Sequence, residues 1–119
     1  MSSFGQAQYV RVAKRLQEAA GYFELGMTQQ TLDCLEGLGE LGPFEAAVEL
    51  LRGESLRLQH RYRDAATSLE VAAKSFPTPM DRRAWLVVSQ CYRKAGLTDR
   101  AVQSLACARG ARLPKPKPK

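Results

Sequence analysis

Residues 85–108 read Trp-Leu-Val-Val-Ser-Gln-Cys-Tyr-Arg-Lys-Ala-Gly-Leu-Thr-Asp-Arg-Ala-Val-Gln-Ser-Leu-Ala-Cys-Ala, and this stretch decides the fold because the chain says nearly the same thing twice before it. Tyr92, Gly96, Ala101 and Leu105 fall 36 positions after Leu56, His60, Ala65 and Leu69. Those in turn fall 34 positions after Tyr22, Gly26, Thr31 and Leu35. A repeat of that length is the period of stacked helical hairpins. The apolar steps agree: Val12, Leu16, Ala19 and Phe23, then Val48, Leu51, Ser55 and Leu58, then Ala84, Val88, Cys91 and Ala95, each trace one helix face.

The punctuation between these faces places the turns. Gly26 and Gly96 stand where a first helix stops and reverses, a place that often needs positive φ, and His60 holds the same place in the middle copy. Histidine is among the non-glycine residues enriched there. Thr28 and Thr98 are expected to cap the second helices, and Thr78, Pro79 and Asp81 to open the fifth helix with a cap, a first-turn proline and a carboxylate on the dipole. The expectation is six helices, 7–25, 28–38, 43–59, 63–75, 79–95 and 98–109. With no isoleucine and scattered valines, no segment carries the alternation of a strand, so the fold class is all-α.

In the third copy Trp85, Val88, Ser89 and Tyr92 lead to Ala101, Leu105 and Ala108, with Pro114 beyond. This resembles the tetratricopeptide repeat, Trp-x-x-Leu-Gly-x-x-Tyr followed by Ala, Phe and Pro, with serine for the glycine and leucine for the phenylalanine. The middle copy supplies Gly53, Tyr62, Ala65, Leu69, Ala72 and Pro77, and the first Ala19, Tyr22, Gly26, Leu35, Leu38 and Pro43. The resemblance covers residues 12–113 as repeats 12–45, 46–79 and 82–113, after an N-terminal extension at 1–11. It implies a right-handed superhelix of three hairpins whose first helices line a concave groove.

Carried over place by place, the groove residues are Ala13, Leu16, Ala20 and Phe23, then Ala47, Leu50, Glu54 and Arg57, then Arg83, Leu86, Gln90 and Arg93. One end is apolar and the other basic. Family members that hold chaperone C-terminal carboxylates use a lysine and asparagines here; Leu16 and Ala20 occupy the first-copy places, so that activity is not implied. The expected partner is an amphipathic helix or extended segment with apolar anchors and acidic flanks. The last hairpin runs straight into a Pro-Lys tail, so apolar surface around Val87, Val102 and Leu105 is expected to be left uncovered and to serve a homodimer or an obligate partner. The organisation is also similar to the small cytoplasmic chaperones of type III secretion.

Charge narrows the alternatives. The net +6 is concentrated in residues 109–119, where Arg109, Arg112, Lys115, Lys117 and Lys119 meet no acid; the first 108 residues carry 13 basic against 12 acidic groups. The Pro114–Lys119 tail is expected to be extended and disordered. It could serve as an arm for nucleic acid or a ribosome, but the near-neutral repeats make solubility its simpler role. No run is apolar enough for a signal peptide or a membrane span, and Cys34, Cys91 and Cys107 have neither zinc nor disulfide-framework spacing. A cytoplasmic protein with buried thiols is expected.

Catalytic motifs fail on context. Gly37-Leu38-Gly39-Glu40-Leu41-Gly42 matches a dinucleotide fingerprint but lies between helices, not between a strand and a helix, and reads as a connector with Pro43 starting the next helix. His60, the only histidine, sits in a turn. Asp33, Asp64, Asp81 and Asp99 are expected in early helical turns, where the dipole explains them. Trp85 and Tyr92 share one helix face and read as core. No enzyme, metal or cofactor is implied.

Overall fold

The computed structural model describes residues 4–110. Six α-helices follow one another: α1 Gln6–Glu24, α2 Thr28–Cys34, α3 Glu45–Leu58, α4 Tyr62–Ser75, α5 Asp81–Lys94 and α6 Thr98–Ala108, with one 3-10 turn at Gly42–Phe44 before α3. There is no strand among the described residues. The helices pair as α1/α2, α3/α4 and α5/α6, and successive pairs stack, α2 on α3 and α4 on α5. The tail expected from Pro114 to Lys119 lies outside the described residues.

Each hairpin turns on the same backbone device. The N–H groups of Met27, Arg61 and Leu97 donate to the carbonyls of Tyr22, Leu56 and Tyr92, and those of Gly26, His60 and Gly96 donate to Phe23, Arg57 and Arg93. This is the Schellman arrangement, whose central residue must be left-handed. Gly26 and Gly96 have φ of 76° and 81°, and His60 takes 62°. The histidine is steadied by its Nδ1, 2.7 Å from the Tyr62 hydroxyl.

The same device overturns the expected caps. Met27, Arg61 and Leu97 close one helix and stand at the N-cap of the next, so Thr28 and Thr98 are already first-turn residues and no capping hydroxyl is used. Thr78 caps nothing either: α5 begins at Asp81, two residues later than expected, with Met80 at its N-cap. Helix α2 ends at Cys34 rather than 38, because Gly37 and Gly39 turn left-handed at φ 65° and 73° and Leu38 reaches the core from the turn instead. That leaves Asp33 in the last turn of α2, where it accepts from Gln29 Nε2 at 3.0 Å. Asp64, Asp81 and Asp99 do lie in first turns.

The glycine-rich connector is fastened from α1. Arg11 donates to the carbonyls of Leu38 and Gly37 at 2.9 and 2.8 Å, and Gln8 Nε2 to those of Leu38 and Glu40 at 2.6 and 2.7 Å. Backbone acceptors that leave a helix need such partners. The fingerprint is therefore a connector between helices, and Pro43 falls in the 3-10 turn that leads into α3.

Two buried clusters hold the stack. Val12, Ala19, Cys34, Leu35, Leu38 and Val48 form the first, between α1, α2 and the start of α3. Leu32, Leu56, Ala65, Leu69, Trp85, Val88, Cys91 and Tyr92 lie in the second, which runs on to Ala101 and Cys107 of α6. Helix α3 contributes Val48 to one and Leu56 to the other, so it is the splice between them.

Candidate functional site

The repeat register gives each hairpin one set of equivalent places, and burial tells what covers them. The first-helix places expected to line the groove start with Ala13, Leu16, Ala20 and Phe23, all half-buried. Ala47 is exposed, while Leu50, Glu54 and Arg57 are half-buried; Arg83, Leu86, Gln90 and Arg93 are all exposed. Exposure rises from the first hairpin to the last. Leu16 and Leu50 also pack against the two core clusters, so part of the ladder Leu16, Leu50, Leu86 is structural.

Electrostatics follow the same gradient. Arg57 Nη2 meets Glu54 Oε1 at 2.6 Å, and that bond holds the guanidinium above its ordinary pKa. The register mates of this pair are Gln90 and Arg93, so the third hairpin keeps the cation and loses the acid. Arg83 and Arg93 make no ion pair among the described residues.

On the last pair, Val87 is half-buried against the second cluster, Val102 is 61% exposed and Leu105 is half-buried. Val102 and Leu105 line an open cleft of about 250 Å³ together with Leu86, Gln90 and Arg93. Residues expected on two separate surfaces therefore meet in one place, with Ser89, Thr98 and Ala101 completing its lining. The register picks out each residue but not their meeting, although the mates of Val102 and Leu105, Ala66 and Leu69, share a cluster with Leu50.

Between α4 and α5 the geometry is polar. Tyr92 donates its hydroxyl to Glu70 Oε1, and Lys74 Nζ lies 3.0 Å from Glu70 Oε2. Burial pushes the Glu70 carboxyl up, yet the tyrosine and lysine together bring it below its ordinary value. Burial also raises the Tyr92 hydroxyl, and the charged carboxylate raises it further. A group whose folded pKa is lowered stabilises the fold above its unfolded pKa and loses that contribution as pH falls through the folded value. Tyr92→Phe should therefore cost about 1.5 kcal/mol at neutral pH. In urea melts that difference from the parent should shrink on acidification, as Glu70 takes up a proton; a difference that stays constant with pH would contradict the ionised pair.

Among the described residues no three His, Cys, Asp or Glu side chains gather as metal ligands. The thiols of Cys34, Cys91 and Cys107 are buried, and burial raises that of Cys91, away from a reactive thiolate. His60 touches Tyr62 in its turn.

The sequence of these hairpins, each closed by the same turn, matches the tetratricopeptide repeat family model over residues 50–112. The chain belongs to the tetratricopeptide repeat family. No curated protein sequence matches it. The matched span covers the second and third repeats; the first repeats their turn geometry, with Met27 N–H to Tyr22 O at 3.0 Å against 2.9 Å in both others. As a tetratricopeptide repeat protein the chain is built for protein–protein interaction. No described helix is long and apolar enough to cross a membrane.

Proposed function

We propose that this repeat domain is a non-catalytic adaptor or chaperone whose first-helix face takes an amphipathic helix or extended segment of a cytoplasmic protein partner. The observation that carries the reading is the run of apolar and basic side chains left half-buried or exposed on α1, α3 and α5: Leu16, Phe23, Leu50 and Leu86, with Arg57, Arg83 and Arg93. Apolar anchors at helical spacing fill such a strip, and acidic flanks answer the arginines. A chaperone role of the type III secretion kind is the narrower form, in which the guest is a small helical protein that aggregates alone.

A displayed library of helical peptides, selected on the immobilised full chain, should enrich for Leu, Ile or Phe anchors with neighbouring Glu or Asp. Affinity of the selected peptide should fall about tenfold or more when Leu16, Phe23 and Leu50 are replaced by glutamine, with folding checked by circular dichroism. Arg83→Glu, at an exposed position, is the second variant and should weaken acidic-flanked peptides. Unchanged affinity in both variants would refute groove binding.

A further inference from the structure

The solenoid contains its own reference for what its last surface should hold. Shifting the register by one repeat, Leu86, Ser89, Gln90 and Arg93 of α5 correspond to Leu50, Gly53, Glu54 and Arg57 of α3. Thr98, Ala101, Val102 and Leu105 of α6 correspond likewise to Tyr62, Ala65, Ala66 and Leu69 of α4. In the second repeat these places form a seat, and α5 occupies it. Ala84, Val87, Val88 and Cys91 share one apolar cluster there with Leu50, Tyr62, Ala66 and Leu69, and Lys94 Nζ lies 5.1 Å from the centre of the Tyr62 ring.

Burial shows that the corresponding third seat is vacant among the described residues. Leu32, Ala66 and Val102 are register mates; the first two are 7% and 0% exposed under the following hairpin, and Val102 is 61% exposed. The cleft is lined by Leu86, Ala101, Val102 and Leu105, the register mates of residues that the next hairpin covers, and repeats of this kind draw their stability from such neighbour contacts.

Its charge differs from the occupied seat. There Glu54 pairs with Arg57 and Tyr62 offers a ring face, a setting that welcomes the α5 cation Lys94. In the third seat Gln90 replaces the acid and Thr98 the ring, leaving Arg93 as the charged group of the lining. The nearest acid on α6, Asp99, lines a different crevice with Glu70, Tyr92 and Arg100. An occupant is therefore favoured that carries an anion where α5 carries Lys94.

Neither α1 nor residues 111–119 offer one. On α1 the places matching the inward residues Ala84, Val88 and Cys91 hold Lys14, Glu18 and Gly21, so a head-to-tail second copy would bring a polar face to an apolar seat. Residues 111–119 hold three prolines and four cations with no acid, so their sequence carries neither the apolar stripe nor the anion that the seat favours.

Resting on the reading of the chain as a protein-binding module, we propose that the open α5–α6 seat receives in trans one helix of a partner protein. That helix carries an apolar stripe at i, i+3, i+4 and i+7, as α5 does at Ala84, Val87, Val88 and Cys91, and an Asp or Glu three residues beyond the stripe, against Arg93. The partner supplies the helix that would begin a fourth repeat, completing the stack between two molecules.

The test uses the full chain and a helical peptide with the sequence of residues 79–97, stapled on the face that points away from the seat, in a glutamate form (Lys94→Glu) and a lysine form. Calorimetry should give one peptide per chain, with the glutamate form bound about tenfold or more tightly. Val102→Asp, at an exposed position, should abolish binding while leaving the thermal melt in place. Arg93→Glu should reverse the preference between the two peptides. The triple glutamine variant of Leu16, Phe23 and Leu50 should keep the peptide, which separates failure of this seat from failure of the groove. Equal affinity for the two peptides, or binding untouched by Val102→Asp, would overturn the proposal. So would a dimer in sedimentation that Val102→Asp dissociates, because a second copy would then hold the seat. Methyl shifts of Val102 and Leu105 that move when residues 111–119 are replaced by a glycine-serine segment of equal length would overturn it too, by giving the seat to the tail.

Discussion

Trp85→Ala is expected to cost about 3–5 kcal/mol, the largest single loss open to this chain. The indole is 5% exposed and belongs to the cluster that joins Leu56, Ala65 and Leu69 of the second hairpin to Val88, Tyr92 and Ala101 of the third. Removing it strips contacts from both hairpins at once. The void cannot close by a simple shift, because Tyr92 is tethered to Glu70 across the same interface. Small domains hold only about 5–15 kcal/mol, so urea unfolding should move far toward lower denaturant. The loss should also be local. Trp85 has no part in the cluster of Val12, Ala19, Leu35 and Val48, and stacked repeats communicate through neighbours. Native-state hydrogen exchange should show protection collapsing in α5 and α6 while α1 retains most of its own; equal collapse throughout would mean a single cooperative core.

Gly53→Val is the second, expected to cost about 3 kcal/mol from overpacking. A Cβ at Gly53 would stand 2.5 Å from Leu69 Cγ, 2.6 Å from Leu69 Cδ2 and 3.2 Å from the Ala65 carbonyl oxygen. Leu69 is 2% exposed and cannot swing aside, and the carbonyl belongs to the α4 backbone. Helix propensity pulls the other way by about 1 kcal/mol for Gly→Ala, too little to offset the clash, so even Gly53→Ala should destabilise. The register mates Ala19 and Ser89 show that the other two hairpins accommodate a Cβ at this place, both buried. At this place the α3–α4 pair thus leaves no room for a Cβ, where its counterparts do. Chemical melts of Gly53→Ala and Gly53→Val decide it, and a stabilised alanine variant would show that the pair separates freely.

Why Gly53 matters was half legible in the residues themselves. Its place in the repeat marked it as a small residue between helices, but nothing in one sequence distinguishes a glycine that is required from the alanine and serine that serve elsewhere. The left-handed turn at His60 was legible, because alignment with Gly26 and Gly96 put a backbone demand on a residue type able to meet it. Capping was not. Thr28 and Thr98 look like N-caps until the hairpin's own hydrogen bonds show that Met27 and Leu97 are spent on closing one helix and opening the next. Leu38 continues the helical spacing of α2 although the chain has already turned, since a side chain can reach the core from a loop as well as from a helix. For the candidate site, Leu86, Arg93, Val102 and Leu105 could each be picked from the pattern. Their convergence could not, because it depends on α5 and α6 having no described helix after them.

The fastening of the first connector has a consequence for how the molecule is made. Gln8 and Arg11 hold carbonyls as far along as Glu40, so the anchoring side chains leave the ribosome about thirty residues ahead of the atoms they will grip. Domains emerge N-terminus first at a few residues per second or faster. The opening helix must wait, with its connector contacts unmade, until the connector has cleared the exit, and only then can the newborn chain latch its first inter-repeat loop.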